Sequence, residues 1–154
     1  MNTNKKEKYA NLIYNQILKN IVYPLTGNKT TYMNDLLGIS KKMLGIKFKG
    51  VFASDKIPIL NDLQPYAILN LDSSKQPGSH WIAIAKTNNE TMIYDSFGRQ
   101  TSKIIKNLIF SGNGRIIESD RDIEQKIIET DCGARSLAWL IFFDKFGVEK
   151  AKLI

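Results

Sequence analysis

One cysteine, one histidine and one aspartate could together form a nucleophilic site. Cys132 and His80 are the only residues of their types among the 154 of the chain, and Asp95 ends the short run TMIYD. In such a set the sulfur attacks a carbonyl carbon, the imidazole moves a proton, and the carboxylate orients the imidazole. A lone cysteine can equally be a small buried apolar residue, so the interpretation depends on the elements that carry these side chains.

Cys132 is predicted to lie in the first turn of a helix. Apolar residues recur at helical spacing after Asp131, namely Ala134, Leu137, Ala138 and Ile141. This pattern predicts a helix with one face in the core, which Thr130 or Asp131 can cap. Free backbone N–H groups and the positive end of the helix dipole stabilise a thiolate at that position, so a cysteine there is poised to react.

A predicted β-hairpin brings His80 and Asp95 together. Alternation over residues 80–86 predicts two faces, one with Trp81, Ala83 and Ala85 and the other with His80, Ile82 and Ile84. Residues 87–90 form a polar turn, and residues 91–95 are the predicted return strand. His80 begins one strand and Asp95 ends the other, so we expect a hydrogen bond at one end of an antiparallel pair.

The other patterns predict an α+β fold in a single domain of residues 1–154. Helical spacing predicts helices over residues 5–22, 31–44 and 103–110, and composition predicts strands over 48–53, 66–71 and 115–118. We expect a small central mixed or antiparallel sheet, built around the hairpin and packed against the Cys132 helix. Residues 1–30 are an N-terminal helical extension that is either dispensable or part of the core.

The composition argues against several kinds of site and against a membrane-spanning protein. One cysteine excludes an intramolecular disulfide, and one histidine argues against a zinc centre, so we expect no metal and a reducing compartment. No apolar run approaches the roughly 20 residues that span a bilayer, and residues 1–8 are polar, which predicts no membrane partner. The net charge of +7 favours association with polyanions without specifying which one, or belongs to a solvated surface without function.

Short motifs occur along the chain in the order His, Asp, Gln, Cys. They are His80-Trp81 at a strand start, YDSFG at residues 94–98 after a hairpin, and Gln125 seven positions before Cys132-Gly133. In this order the chain resembles the adenovirus-type (adenain-like) cysteine proteases of the wider Ulp1-like superfamily. The resemblance runs from about residue 32 to 147, and it depends on the order of the motifs because each is short.

The resemblance implies a role for each of four catalytic residues. Cys132 would be the nucleophile, His80 the general base that becomes the acid for the leaving amine, and Asp95 the residue that orients His80. Gln125 would donate to the oxyanion together with the backbone N–H of Cys132. Without the spacing to Cys132, Gln125 would be an exposed polar side chain in a loop.

Two further residues are implied as substrate contacts. Trp81 would flank the substrate groove, although a tryptophan in a strand is by default a core residue. Gly133 would let the substrate backbone approach closely, or would relieve crowding in the first turn of the helix. The family tends to cut after small residues, so we expect a narrow groove near Cys132.

The implied function is a cysteine endopeptidase that cleaves capsid or other virion precursors in the virion or the host-cell cytoplasm. The spacing from Gln125 to Cys132 is adenain-like, and the Asn-, Lys- and Ile-rich composition is typical of an AT-rich virophage, large DNA virus or Polinton-type element. No cofactor is required, and DNA or a viral peptide could activate the enzyme noncovalently. Two alternatives are a Ulp1-like deubiquitinating or deSUMOylating isopeptidase and a noncatalytic, basic DNA-binding or packaging protein.

Overall fold

The computed structural model describes residues 2–27, 33–71, 80–88, 90–96, 112–118 and 131–154. The described helices are α1 (Thr3–Ile17), α2 (Tyr23–Thr26), α3 (Met33–Leu44), α4 (Cys132–Phe146) and α5 (Val148–Ala151). The described strands are β1 (Phe48–Ala53), β2 (Tyr66–Asn70), β3 (Trp81–Thr87), β4 (Glu90–Tyr94) and β5 (Arg115–Glu118). These elements confirm the predicted α+β class.

The strands form one mixed sheet in the order β1-β2-β3-β4-β5. The two outer pairs, β1 with β2 and β4 with β5, are parallel. The two inner pairs are antiparallel, and β3 and β4 are the two arms of the predicted hairpin. The sheet is therefore built around the hairpin that precedes Asp95, as the sequence predicted.

The two faces of β3 pack into different parts of the core. Trp81, Ala83 and Ala85 lie in the cluster that includes the buried residues of α4. Ile82 and Ile84 lie in a second cluster on the opposite face of the sheet. The predicted alternation is confirmed over residues 81–85, because successive side chains of a strand point to opposite sides. His80, which was predicted to share the face of Ile82 and Ile84, lies just before the strand.

The N-terminal helix continues further than its pattern predicted. After α1 the chain forms a π-helical turn over Leu18–Val22, in which the N–H of Tyr23 donates to the carbonyl of Leu18 five residues earlier. Pro24, which has no N–H to donate, follows within the first positions of α2. Tyr14 and Val22 are almost fully buried in the same cluster as α4. The described part of the extension therefore contributes to the core.

Helix α4 is buried on nearly all sides, so it is a rigid support for its first turn. Its Trp139 is fully buried, stacks on the ring of Tyr94 at 5.3 Å between centroids, and donates from Nε1 to the carbonyl of Ala151. Gly147, at a φ of 87°, follows the last turn. Among the helices that the structure describes, none has the length and apolar character needed to cross a bilayer.

Candidate active site

The first turn of α4 is hydrogen-bonded to the start of β3. The backbone N–H of Trp81 donates to Sγ of Cys132 across 3.4 Å. One turn later on the helix, Oγ of Ser136 donates to the carbonyl oxygen of Trp81 across 3.2 Å. Two residues of α4 therefore bind the N–H and the carbonyl of Trp81. Because Trp81 directly follows His80, these bonds place the sulfur of Cys132 close to His80.

His80 and Asp95 lie at the same end of the β3–β4 hairpin. Ala83 pairs with Tyr94, and both site residues lie just beyond that pair. Nε2 of His80 is 2.7 Å from Oδ1 of Asp95. The expected contact between the two side chains is present, and both are buried, with 3% and 6% of their surface exposed.

The imidazole of His80 also interacts with Cys132, so it lies between a carboxylate and a thiol. Burial alone would lower the pKa of His80, but hydrogen bonds to Asp95 and Cys132 and the charges of both residues raise it to about 9. Nε2 faces Asp95, so Nδ1 is the ring nitrogen on the side away from that carboxylate. The buried contact with Asp95 therefore favours the charged imidazolium over the neutral ring.

This arrangement contains the parts that nucleophilic catalysis by sulfur requires. A sulfur lies at a helix N-terminus, an imidazolium can return a proton to a leaving group, and a carboxylate orients the ring. Cys132 is itself 6% exposed, so these charges interact in a medium of low dielectric constant.

Asp131 occupies the N-cap position of α4, but its side chain makes no capping hydrogen bond there. Its carboxylate accepts from Nε of Arg135, which lies 3.1 Å from each oxygen, and from the hydroxyl of Tyr23. No described side chain caps the helix at this residue. A guanidinium is a stronger partner for a buried carboxylate than a backbone N–H, which explains the choice. Thr130, the other predicted cap, lies outside the described residues.

The structure describes only some of the remaining predicted site residues. Gln125 and the end of the YDSFG motif lie outside the described residues. The side chain of Trp81 is buried in the core cluster, and Gly133 is the buried second residue of α4. Their roles in substrate binding stay predictions. Among the described residues, no group of three or more His, Cys, Asp or Glu side chains could hold a metal ion.

Three residues that the motifs did not indicate contact this site or its supporting turn. Ser136 and Arg135 each lie four positions after a residue of interest, Cys132 and Asp131, and that spacing places side chains on one face of a helix. The sequence therefore carried a signal for both. It carried none for Tyr23, which lies 108 positions from its partner Asp131.

Comparison with known proteins does not identify a family. A scan against protein-family models found no model that matches the chain. A search among curated proteins likewise found no match. The resemblance to adenain-like proteases therefore depends on the motifs alone, and the function must be inferred from the geometry of the site.

Proposed function

We propose that the protein is a cysteine endopeptidase with an adenain-like fold, in which Cys132 is the nucleophile. His80 would be the acid and base, and Asp95 would orient it. The observation that carries the proposal is the buried contact between His80 and Asp95, with 2.7 Å between Nε2 and Oδ1, beside Cys132, whose sulfur accepts from the N–H of the residue after His80. A cysteine buried only for packing needs neither a protonated histidine nor a carboxylate behind that histidine.

Cys132, His80 and Asp95 would suffice for hydrolysis of a peptide bond in two steps. Sγ of Cys132 forms a bond to the scissile carbonyl carbon, and the C–N bond breaks as His80 gives its proton to the departing amine. A thioester to Cys132 results. Water then attacks the thioester with His80 accepting a proton, the C–S bond breaks, and the carboxylic product leaves. Asp95 keeps its hydrogen bond to Nε2 throughout, so the other ring nitrogen stays directed at the reacting atoms.

The proposal includes an oxyanion site at the start of α4. The carboxylate of Asp131 is bonded to Arg135 and Tyr23, so it does not occupy the backbone N–H groups of the first turn. The N–H of Cys132 would donate to the oxyanion, with Gln125 as the second donor that the resemblance implies. Replacing Gln125 by Ala would then lower kcat by about 10²–10³.

The proposed substrates are capsid or other virion precursor proteins, cleaved after small residues. The resemblance supports this choice, and the net charge of +7 is compatible with activation by DNA through phosphate contacts. A viral peptide that binds noncovalently is the other proposed activator. Substrate and activator both rest on the resemblance, whereas the nucleophilic chemistry rests on the described contacts.

Alkylation by iodoacetamide tests the chemistry directly, because Cys132 is the only thiol. We expect the wild type to react at pH 6 to 7, where an ordinary thiol is almost wholly protonated, and His80→Ala to react far more slowly. The Cys132→Ala variant measures the background. An inert thiol, or one whose rate is indifferent to His80, would refute the proposal.

Cleavage assays separate this function from its alternatives. Precursor proteins or peptides with glycine before the scissile bond should be cut by the wild type and not by Cys132→Ala. Cleavage of ubiquitin-like fusions alone would select the isopeptidase. Salt-sensitive DNA binding without thiol reactivity would select the noncatalytic basic protein.

A further inference from the structure

A buried ion pair lies directly beside the proposed nucleophile. Asp131 immediately precedes Cys132, and Nε of Arg135 lies 3.1 Å from each of its carboxylate oxygens. The side chains of Asp131 and Arg135 are only 1% and 10% exposed. The backbone N–H of Arg135 also donates to the carbonyl of Asp131, so the pair spans the first turn of α4.

Tyrosines from three other parts of the chain surround this pair. Tyr23 of α2 donates its hydroxyl to the Asp131 carboxylate. Tyr14 and Tyr94, whose hydroxyl oxygens lie 2.7 Å apart, lie close enough to the guanidinium to raise the pKa of Arg135 through their charge. Tyr94 directly precedes Asp95 in the chain. One polar network therefore connects the residue before the nucleophile with the residue before the carboxylate that orients His80.

The negative charge of Asp131 lies one residue from Cys132, so it can affect the stability of a thiolate there. An uncompensated carboxylate in a buried position disfavours a second negative charge nearby, since the two repel strongly at low dielectric constant. A thiolate at Cys132 is such a charge. Among the described residues, the other titratable groups around this turn are His80 and Asp95 from the hairpin and Tyr14, Tyr23 and Tyr94 from the network. Arg135 is the only cation among these side chains apart from protonated His80.

We propose that Arg135 and Tyr23 are positioning residues for the nucleophile, which act by binding the Asp131 carboxylate and neutralising its charge beside Cys132. This inference rests on the proposed function and adds a requirement to it. The N-terminal segment supplies Tyr23 and Tyr14, so thiol reactivity depends on residues that no catalytic motif contains. If the network only stabilised packing, removing the charge of Arg135 would not change the reactivity of Cys132.

A set of charge substitutions tests this link through the rate of alkylation at pH 6.5. We expect Arg135→Met to slow alkylation about tenfold or more, because it leaves the carboxylate without a positively charged partner. Asp131→Asn, which keeps the shape and removes the charge, should react at least as fast as the wild type. The double variant Asp131→Asn with Arg135→Met should return to within about threefold of the wild-type rate, because it removes both charges.

Two further variants complete the set. Lys152→Met removes the same charge from an exposed pair with Glu149 and should leave the rate unchanged. Tyr23→Phe removes only the hydroxyl and should slow alkylation several-fold, with no additional effect in the Asp131→Asn background. Circular dichroism and thermal unfolding of each variant establish that the compared proteins are folded.

The outcomes separate failure of this inference from failure of the proposed function. A wild-type thiol that is inert or independent of His80 overturns the function itself. The positioning role is overturned in a different case, in which the wild-type thiol is reactive and depends on His80. There, Arg135→Met and Asp131→Asn would slow alkylation alike, and the double variant would not recover the wild-type rate. If Arg135→Met does not fold, Asp131→Asn alone decides, because slower alkylation in that variant contradicts the inference.

Discussion

The pKa of His80 can be measured directly, and a single substitution tests what determines it. The chain has one histidine, so its imidazole signals in an NMR spectrum need no assignment. We expect the wild type to titrate with a His80 pKa of about 9, which burial opposes and the contacts with Asp95 and Cys132 produce. The perturbation we choose is Asp95→Asn, because it retains the shape of the side chain and removes its charge.

The size of the effect follows from the contact that is lost. The bond between Nε2 of His80 and Oδ1 of Asp95 is 2.7 Å long and buried. A hydrogen bond to a charged group contributes about 1.5–3 kcal/mol, which corresponds to about 1–2 pH units. The His80 pKa should therefore fall from about 9 in the wild type to about 7–8 in Asp95→Asn.

Cys132→Ser is the matched control, because it changes the other partner of the same ring. It should also lower the His80 pKa, but by less, since the hydrogen bond to Asp95 raises it more than the one to Cys132. Imidazole carbon-proton spectra recorded from pH 5 to 10 measure all three proteins. A wild-type His80 pKa near 6.5, or a larger decrease in Cys132→Ser than in Asp95→Asn, would refute the reasoning.

The same shift makes the stability of the fold depend on pH. The folded-state pKa of His80 is raised from 6.5 to about 9, so its contribution is fully present below pH 6.5 and is lost as the pH rises through 9. A rise of this size corresponds to about 3 kcal/mol. Urea unfolding at pH 6 and pH 10 should show that decrease in the free energy of unfolding for the wild type and a smaller one for Asp95→Asn.

Three substitutions away from the site test the packing that supports it, each by urea unfolding. Tyr14→Phe removes the buried hydrogen bond between the hydroxyls of Tyr14 and Tyr94 and should cost about 1–3 kcal/mol, whereas replacing both tyrosines should cost less than the sum. Asn113→Ala removes two side-chain hydrogen bonds to the loop between β1 and β2 and should cost about 2–3 kcal/mol. Gly50→Ala should cost about 1–3 kcal/mol, because Gly50 has a φ of 152° and a Cβ there would lie 3.1 Å from the Phe52 ring; a neutral effect would contradict this.

The elements of the fold could be predicted because their signals are local. Apolar residues at helical spacing predict α4, and strict alternation predicts β3, whose residues 81–85 lie on the two faces as predicted. The hairpin that brings His80 to Asp95 closes within 15 residues, so the pairing follows from strand lengths and a short turn. The contact at the end of the hairpin was therefore accessible to sequence analysis.

The sequence by itself determined the residue types of the site, the order in which they occur and the elements that carry them. The tertiary structure decided which groups meet across long separations. The N–H of Trp81 reaches Cys132 from 51 positions away, and the Tyr23 hydroxyl reaches Asp131 from 108. The use of Asp131 as an ion-pair partner rather than a helix cap was decided in the same way. Local patterns cannot predict these contacts, because a buried polar group takes whichever strong partner the packing of distant segments brings within hydrogen-bond distance.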